Sequence, residues 1–468
     1  MQKREHNKFS LWMLAWPIFI ELFLQFLLGA ADTLQVSRIS DDAVAVVGFS
    51  TQLFSALMTL FMTVAGGAGI LIAQRIGSRN NEDARTIAIM SVKVSAVIGL
   101  GISVLLYAMP GQIASLLQLP DELMPLAKTY ISIVGGGMVL VAVMSALSNA
   151  IRNTGNTKGP MYTAIGMNVI HVGMNYAFIF GKFGFPEWGL KGVAISTDIS
   201  RLLAVIVLFM MFFGAFARQI TFRDFFKLFD RTLFKEILKI GWPMGVNMSC
   251  WVFSQLLIFT YIARLGAVEL STRTYMNTLE SFCFLLGYSL ALALQIQIAH
   301  LYGAGKAEEA YRNSYRALWI GLGIVTVNAL VLYLIGGHIL KLFTKDPEII
   351  AMGISLLGMN LLLQPGKMLN MGIGNALNAV GDTRYVMWTS ITSMTLIASI
   401  LSYIFGITLG WGLVGIYACM ILDEYIRGIW VLQRWRKKKF LKPAQEKMAA
   451  SSPNTGSSGG GTSVTLEV

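Results

Sequence analysis

Apolar residues run along this chain in long blocks separated by short polar turns. Residues 94–110, 124–147, 202–217 and 317–337 are almost free of charge. Each is long enough to cross about 30 Å of hydrocarbon as a helix. A buried soluble core accounts for one such run, not for a dozen. Barrel strands would be short and alternate between apolar and polar positions, which these blocks do not do. The pattern predicts twelve helices, approximately 10–37, 44–76, 86–110, 124–151, 161–182, 189–215, 240–265, 270–302, 312–340, 348–379, 385–407 and 411–434. The connections carry turn chemistry: Arg79-Asn80-Asn81, Thr154-Gly155-Asn156, Gly303-Ala304-Gly305 and Gly381-Asp382.

Composition agrees. The 468 residues are 55% hydrophobic and only 13% charged, about half the charged share of an ordinary soluble chain. Mean hydropathy is +0.62. Cys250, Cys283 and Cys419 sit in apolar stretches without metal-ligand spacing and read as small packing residues. The polar start followed by an apolar run from Phe9 to Leu34 is too long for a removable signal peptide. The net charge of +12 is first a statement about topology. With the N-terminus inside, inner segments hold 25 of the 37 Lys and Arg, and outer segments hold 7: Arg38, Lys182, Lys191, Arg264, Arg273, Lys341 and Lys345. That bias predicts both termini in the cytoplasm and a multi-pass protein of the cell membrane.

The chain also repeats itself. Residues 77–84 (GSRNNEDA) line up with 303–310 (GAGKAEEA), an offset of 226. Asn149-Ala150, Gly155, Thr157, Met161 and Thr163 meet Asn375-Ala376, Gly381, Thr383, Met387 and Thr389 at the same offset. Trp188-Gly189-Leu190 echoes Trp411-Gly412-Leu413 after a small indel. The expected fold class is therefore an all-α integral membrane protein with two six-helix homologous halves around a central cavity. Six helices per half make the repeats parallel. The expected domains are an N-terminal half (1–215), a linker (216–239), a C-terminal half (240–435) and a basic, then disordered cytoplasmic tail (436–468). The linker interleaves Phe222, Phe225, Phe226, Phe229 and Phe234 with Arg223, Lys227, Arg231 and Lys235, as a segment lying at the cytoplasmic interface would.

Charge inside a bilayer is expensive and needs a reason. Asp198 with Arg201 and Asp423 with Arg427 can pair locally on their own helices. Asp32 has no base within one helical turn. It shares a helix face with Glu21 and Gln25, a polar stripe turned inward. An unpaired carboxylate away from water can gain and lose a proton, or hold a sodium ion with other oxygens. Glu280 lies in the eighth helix with no local base, and Lys367 in the tenth; they can pair with each other or line the cavity. His171 and Asn175 share one face of the fifth helix, with Asn168 nearby. The 25 Met and 27 Phe mostly pack the core and face lipid; a subset would give a cavity an adaptable apolar wall. No nucleotide loop, zinc motif or nucleophile elbow is present, so neither an enzyme nor a catalytic or metal site is expected, and transport would draw on an ion gradient or else be passive.

Several stretches resemble the multidrug and toxic compound extrusion (MATE) family over about residues 10–435. They are Trp16-Pro17 through Ala31-Asp32-Thr33, residues 175–184 (NYAFIFGKFG) followed by Pro186, Gly189 and Gly192, and Gly381-Asp382-Thr383-Arg384. The resemblance implies a secondary antiporter exporting amphipathic, often cationic, small molecules in exchange for H+ (favoured) or Na+. It needs no cofactor and no nucleic acid, works as a monomer and contacts membrane lipids. It implies Asp32, Asn175, His171 and Thr197 as cation-coupling residues. Some branches of the family carry acids in the seventh and tenth helices, where this chain has Ser254-Gln255 and Lys367. That departure points coupling to the N-terminal half. Gln25, Gln255, Glu280 and Lys367 are the candidate substrate-binding residues. A flippase for lipid-linked sugars is an alternative, disfavoured by the shortage of mid-membrane bases. A non-transporting receptor or channel is another, disfavoured by the internal duplication.

Overall fold

The structure is a computed structural model, and it describes residues 9–117, 119–216 and 229–441. Residues 217–228 of the expected linker and 442–468 of the expected tail lie outside the described residues.

Twelve long helices follow one another: α1 (Leu11–Val36), α2 (Asp41–Gly77), α3 (Asn81–Ala108), α4 (Asp121–Asn153), α5 (Lys158–Ile179), α6 (Gly189–Phe216), α7 (Arg231–Leu265), α8 (Ala267–Gly303), α9 (Ala307–Phe343), α10 (Pro347–Ala379), α11 (Thr383–Thr408) and α12 (Gly412–Arg436). Ten of them are long and apolar enough to cross a membrane. The other two, α5 and α12, have the length but are interrupted by buried polar groups, His171 and Asn175 in one, Asp423, Glu424 and Arg427 in the other. The chain is a multi-pass membrane protein. α11 differs from its regular prediction, because it widens into π-helical turns over Met394–Leu401 and Ile404–Thr408.

The starts are written in the sequence. The Ser10 and Ser40 hydroxyls accept from the backbone N–H groups of Met13 and Ala43, capping α1 and α2. The Asp230 carboxylate accepts from Thr232 and Leu233 and starts α7 nine residues earlier than the predicted linker boundary at 240. That is a correction. Residues 231–239 continue the seventh helix, because Leu233 and Ile237 are buried in the core.

The duplication is geometric as well as textual. α2 and α8 are each 37 residues long, and their ends, the starts of α3 and α9 and the ends of α4 and α10 all recur 226 residues apart. Pro17 inside α1 recurs as Pro243 inside α7. Backbone conformation repeats too. Gly155 and Gly381 both have positive φ (85° and 90°), and Arg79 (60°) matches Gly305 (75°). α1 packs on α5 and α8, and α7 packs correspondingly on α11 and α2.

Among the described residues the halves pack together most closely at one end, with α1 lying along α8 as far as the Phe26–Phe282 contact. The apolar core around Ile72, Ile89, Leu147, Leu294, Ile298 and Ile373 draws on both halves at the end where basic residues concentrate. Toward the opposite end each half keeps its own core, around Val46, Ile131 and Ala194 in one and around Ile262, Met276 and Leu356 in the other. A cleft between the halves follows from this arrangement. At the closed end Gly77 of α2 lies against the His300 carbonyl of α8, and Gly303 of α8 lies against the Gln74 carbonyl of α2. The Gln74 amide donates to the Ala379 carbonyl (2.6 Å), and Arg75 pairs with Glu236 (2.7 Å), so both cross between halves. A methyl group at Gly77 or Gly303 has no room against backbone. Gly303→Ala and Gly77→Ala are each expected to cost about 1–3 kcal/mol, read as a lower unfolding midpoint of the purified protein. An unchanged midpoint in both would mean that this end is looser than drawn.

Candidate functional site

α5 places Asn168, His171 and Asn175 on one face, and that face meets α1. The seam is polar along its length. The Asn168 amide donates to the Leu24 carbonyl (3.0 Å) and the Gln35 amide to the Val172 carbonyl (3.3 Å). Hydrogen bonds between membrane helices add about 0.6 kcal/mol each, so the seam is held by their sum. In its outer part, Asp32 accepts from Asn175 Nδ2 (3.0 Å) and lies 2.8 Å from His171 Nε2. His171 Nδ1 lies 3.2 Å from Ser200 Oγ, and Ser196 donates to Asn175 Oδ1. His171 is sealed, with 3% of its side chain exposed, whereas Asp32 keeps 26%. The acid is therefore held by protein on one side and open on the other.

Three of the four predicted coupling residues thus come together: Asp32, His171 and Asn175. Thr197 does not join them; its hydroxyl donates to the Val193 carbonyl of its own helix (2.8 Å). Ser196, one residue before it, and Ser200, three residues after it, make the contacts instead. Nothing in the sequence alone separates these three hydroxyls without the rotation of α6 against α5. The inward stripe of α1 is also revised. Glu21 pairs with Arg152 of α4 at 2.7 Å and is buried, while Gln25 is exposed.

A second polar centre lies in the other half. Glu280 of α8 accepts from Tyr417 of α12 (2.7 Å) and from Arg273 (3.3 Å), and Lys367 of α10 stands 3.7 Å away. Arg273 also donates to the Tyr417 hydroxyl (2.6 Å) and faces the Phe259 ring of α7 at 6.0 Å. Arg273, one of the seven outer-segment charges of the sequence count, is buried instead, seven residues before Glu280. Seven residues is two turns less about 20°, so the pair shares a face. That spacing was the signal available in the sequence, and a search limited to one turn misses it. Tyr417 left no such signal. Glu280, 4% exposed, is an anchor for its neighbours and not a contact surface, which revises its expected substrate-binding role; Lys367 keeps 17%. Gln255 is half-buried, one turn before Phe259 on the same face of α7.

The two centres are not copies. At the repeat offset Asp32 corresponds to the buried Ile258, and Glu280 and Lys367 correspond to the buried Phe54 and Val141. Each half has replaced apolar packing by a polar centre at a different place. The local pairs expected elsewhere are present: Arg201 lies 3.7 Å from Asp198, and Arg427 pairs with both Asp423 and Glu424. Among the described residues no cluster of His, Cys, Asp and Glu suits a metal ion.

Comparison with known proteins bears directly on this geometry. The MatE family profile matches residues 17–177 and again 243–404, its second start lying one repeat offset beyond the first. The chain is 34% identical over 442 residues to a Bacillus subtilis protein named "Uncharacterized transporter YisQ", covering 94% of this chain and 97% of that protein. It is 25% identical to a "Probable multidrug resistance protein NorM" of Thermotoga maritima, covering 92% and 93%. Its fold superposes on solved structures titled "Crystal structure of MATE in the bent conformation" (TM-score 0.83, 19% identity, 94% and 96% covered) and "Outward-facing conformation of a multidrug resistance MATE family transporter of the MOP superfamily" (TM-score 0.82, 19% identity, 93% and 96% covered). A doubled twelve-helix bundle, a first-helix acid held by the fifth helix and a family match across both halves lead to one conclusion: this chain belongs to the MatE family, the multidrug and toxic compound extrusion transporters, and is not an enzyme.

Proposed function

We propose that the protein is a proton-coupled exporter of amphipathic, cationic small molecules in the cell membrane. The observation that carries this reading is Asp32, gripped by His171 and Asn175 and a quarter exposed. Relatives named as multidrug resistance proteins support the substrate class. The excess of Lys and Arg supports a cytoplasmic closed end and cytoplasmic termini, an orientation in which the cleft faces outward.

Hydrogen-bond inventory favours a proton over sodium. The Ser200 hydroxyl donates its single proton to the Thr197 carbonyl (2.9 Å), so toward His171 Nδ1 it acts as acceptor. His171 Nε2 faces both the Asp32 carboxylate (2.8 Å) and the Asn175 amide (3.2 Å), so imidazole and carboxylate are placed to share one exchangeable proton. Hard cations prefer a cage of oxygens, and here the ligand nearest the acid is a ring nitrogen. Loss of the proton leaves the centre with one negative charge and draws in a cation. Its return removes that charge and releases the cation. Coupling results because proton and substrate compete for one charge and weigh differently on the two states.

The test is dye movement in proteoliposomes under a pH gradient or a sodium gradient, imposed separately. A pH gradient alone should drive a cationic dye. A response to sodium alone would transfer coupling to that ion, and no response to either would end the antiport reading.

A further inference from the structure

The Glu280 centre of the C-terminal half carries a charge excess of the opposite sign, while the Asp423–Glu424–Arg427 group on α12 sums to one negative charge. Glu280 is one acid facing two bases, Arg273 and Lys367. Arg273 is consumed: its Nη1 meets the Glu280 carboxylate and the Tyr417 hydroxyl, its guanidinium lies over the Phe259 and Tyr417 rings, and only 3% of its side chain is exposed. Lys367 is not. It stands 3.7 Å from Glu280, beyond hydrogen-bonding reach, its three N–H donors have no carboxylate at bonding distance, and its side chain keeps 17% of its surface open. The centre sums to one positive charge, and that charge sits on its only accessible member. In an interior of low dielectric a net charge is costly unless a counter-charge arrives. On the repeat, the matching positions in the N-terminal half are Val47, Phe54 and Val141, so the cluster is an addition to the scaffold and not a packing need of the fold. Gln255 lies on the α7 face that turns Phe259 toward Arg273 and adds an amide on that side.

We infer that this centre is a binding site for a carboxylate or similar singly charged anionic group on the transported molecule, with Lys367 as the contacting residue and Glu280, Arg273 and Tyr417 as its support. The inference rests on the export reading and extends it. The protein thus has a partly open acid in one half and a partly open base in the other, a pair that suits zwitterionic substrates, amine toward Asp32 and carboxylate toward Lys367. An ammonium–carboxylate hydrogen bond is directional and charge-assisted, which a point charge on a flexible stem can offer to substrates of many shapes.

The test uses two dyes that differ only in this group: rhodamine 110, which carries a free carboxyl, and rhodamine 123, its methyl ester. Binding of each to the detergent-solubilised protein is measured by fluorescence polarisation. The wild type should prefer the acid. Lys367→Gln should weaken acid binding about tenfold, the value of one charged hydrogen bond, and leave the ester within about twofold. Lys367→Arg should restore acid binding. Ester binding by Lys367→Gln doubles as its folding control, since Glu280 keeps Arg273 and Tyr417. Equal weakening of both dyes, no weakening of either, or a wild type that binds only the ester would overturn the anion site while leaving the export reading intact. A wild type that binds neither dye would count against both.

Discussion

Asp32→Asn should reduce gradient-driven dye efflux to background at normal protein levels. Asparagine has the shape of aspartate and can still accept from Asn175 and His171 at about 3 Å, so the α1–α5 seam should survive. What goes is the charge. A unit charge about 4 Å from a cation is worth on the order of 4 kcal/mol at an effective dielectric of about 20, and water in the cleft lowers this. A fall in cation affinity of at least about tenfold is the conservative expectation. His171→Gln keeps the acid and should keep part of the transport. Measuring efflux and dye affinity in the three proteins checks this. Full efflux by Asp32→Asn would remove the acid from the mechanism.

The architecture was legible because the bilayer writes it in long apolar runs and the duplication writes it twice. The order of the helices, the turn glycines and the 226-residue repeat all followed from residue spacing. Sites were legible only where one helix carried the signal. Asp32 stood out as a lone acid, and His171 with Asn175 stood out as a pair on one face. What failed was everything set by the rotation of one helix against another. Thr197, Ser196 and Ser200 are equivalent in one dimension, and only packing turns two of them toward α5. Glu21 looked like a companion of Asp32 until α4 brought Arg152 to it. Arg273 looked like an outer charge, because a window of one turn cannot see a partner two turns away. The linker boundary failed for a different reason. Residues 231–239 mix aromatic and basic positions as an interfacial segment does, but Asp230 caps them and Leu233 and Ile237 have a core to enter.

Glu280→Gln should be among the most destabilising single changes in the membrane interior. The carboxylate is the shared acceptor of Arg273 and Tyr417, and it stands 3.7 Å from the Lys367 ammonium. Without it Arg273 remains buried with a neutral hydroxyl and a neutral amide. Breaking a buried ion pair from one side costs about 3–5 kcal/mol, because an uncompensated charge is left behind. Lys367→Gln should cost clearly less, since that ammonium is farther away and partly open. The discriminating protein is the double variant Arg273→Met with Glu280→Gln, which removes charge of both signs. It should be more stable than Glu280→Gln alone, with losses that fall short of the sum of the two single variants by at least about 1 kcal/mol, as expected for groups in one network. Unfolding midpoints of the purified proteins, taken at one scan rate because membrane proteins often unfold irreversibly, provide the comparison. Additive and mild losses would mean that water already reaches Glu280. In that case Lys367 would be screened from its surroundings and would lose the excess charge that makes it a partner for an anion.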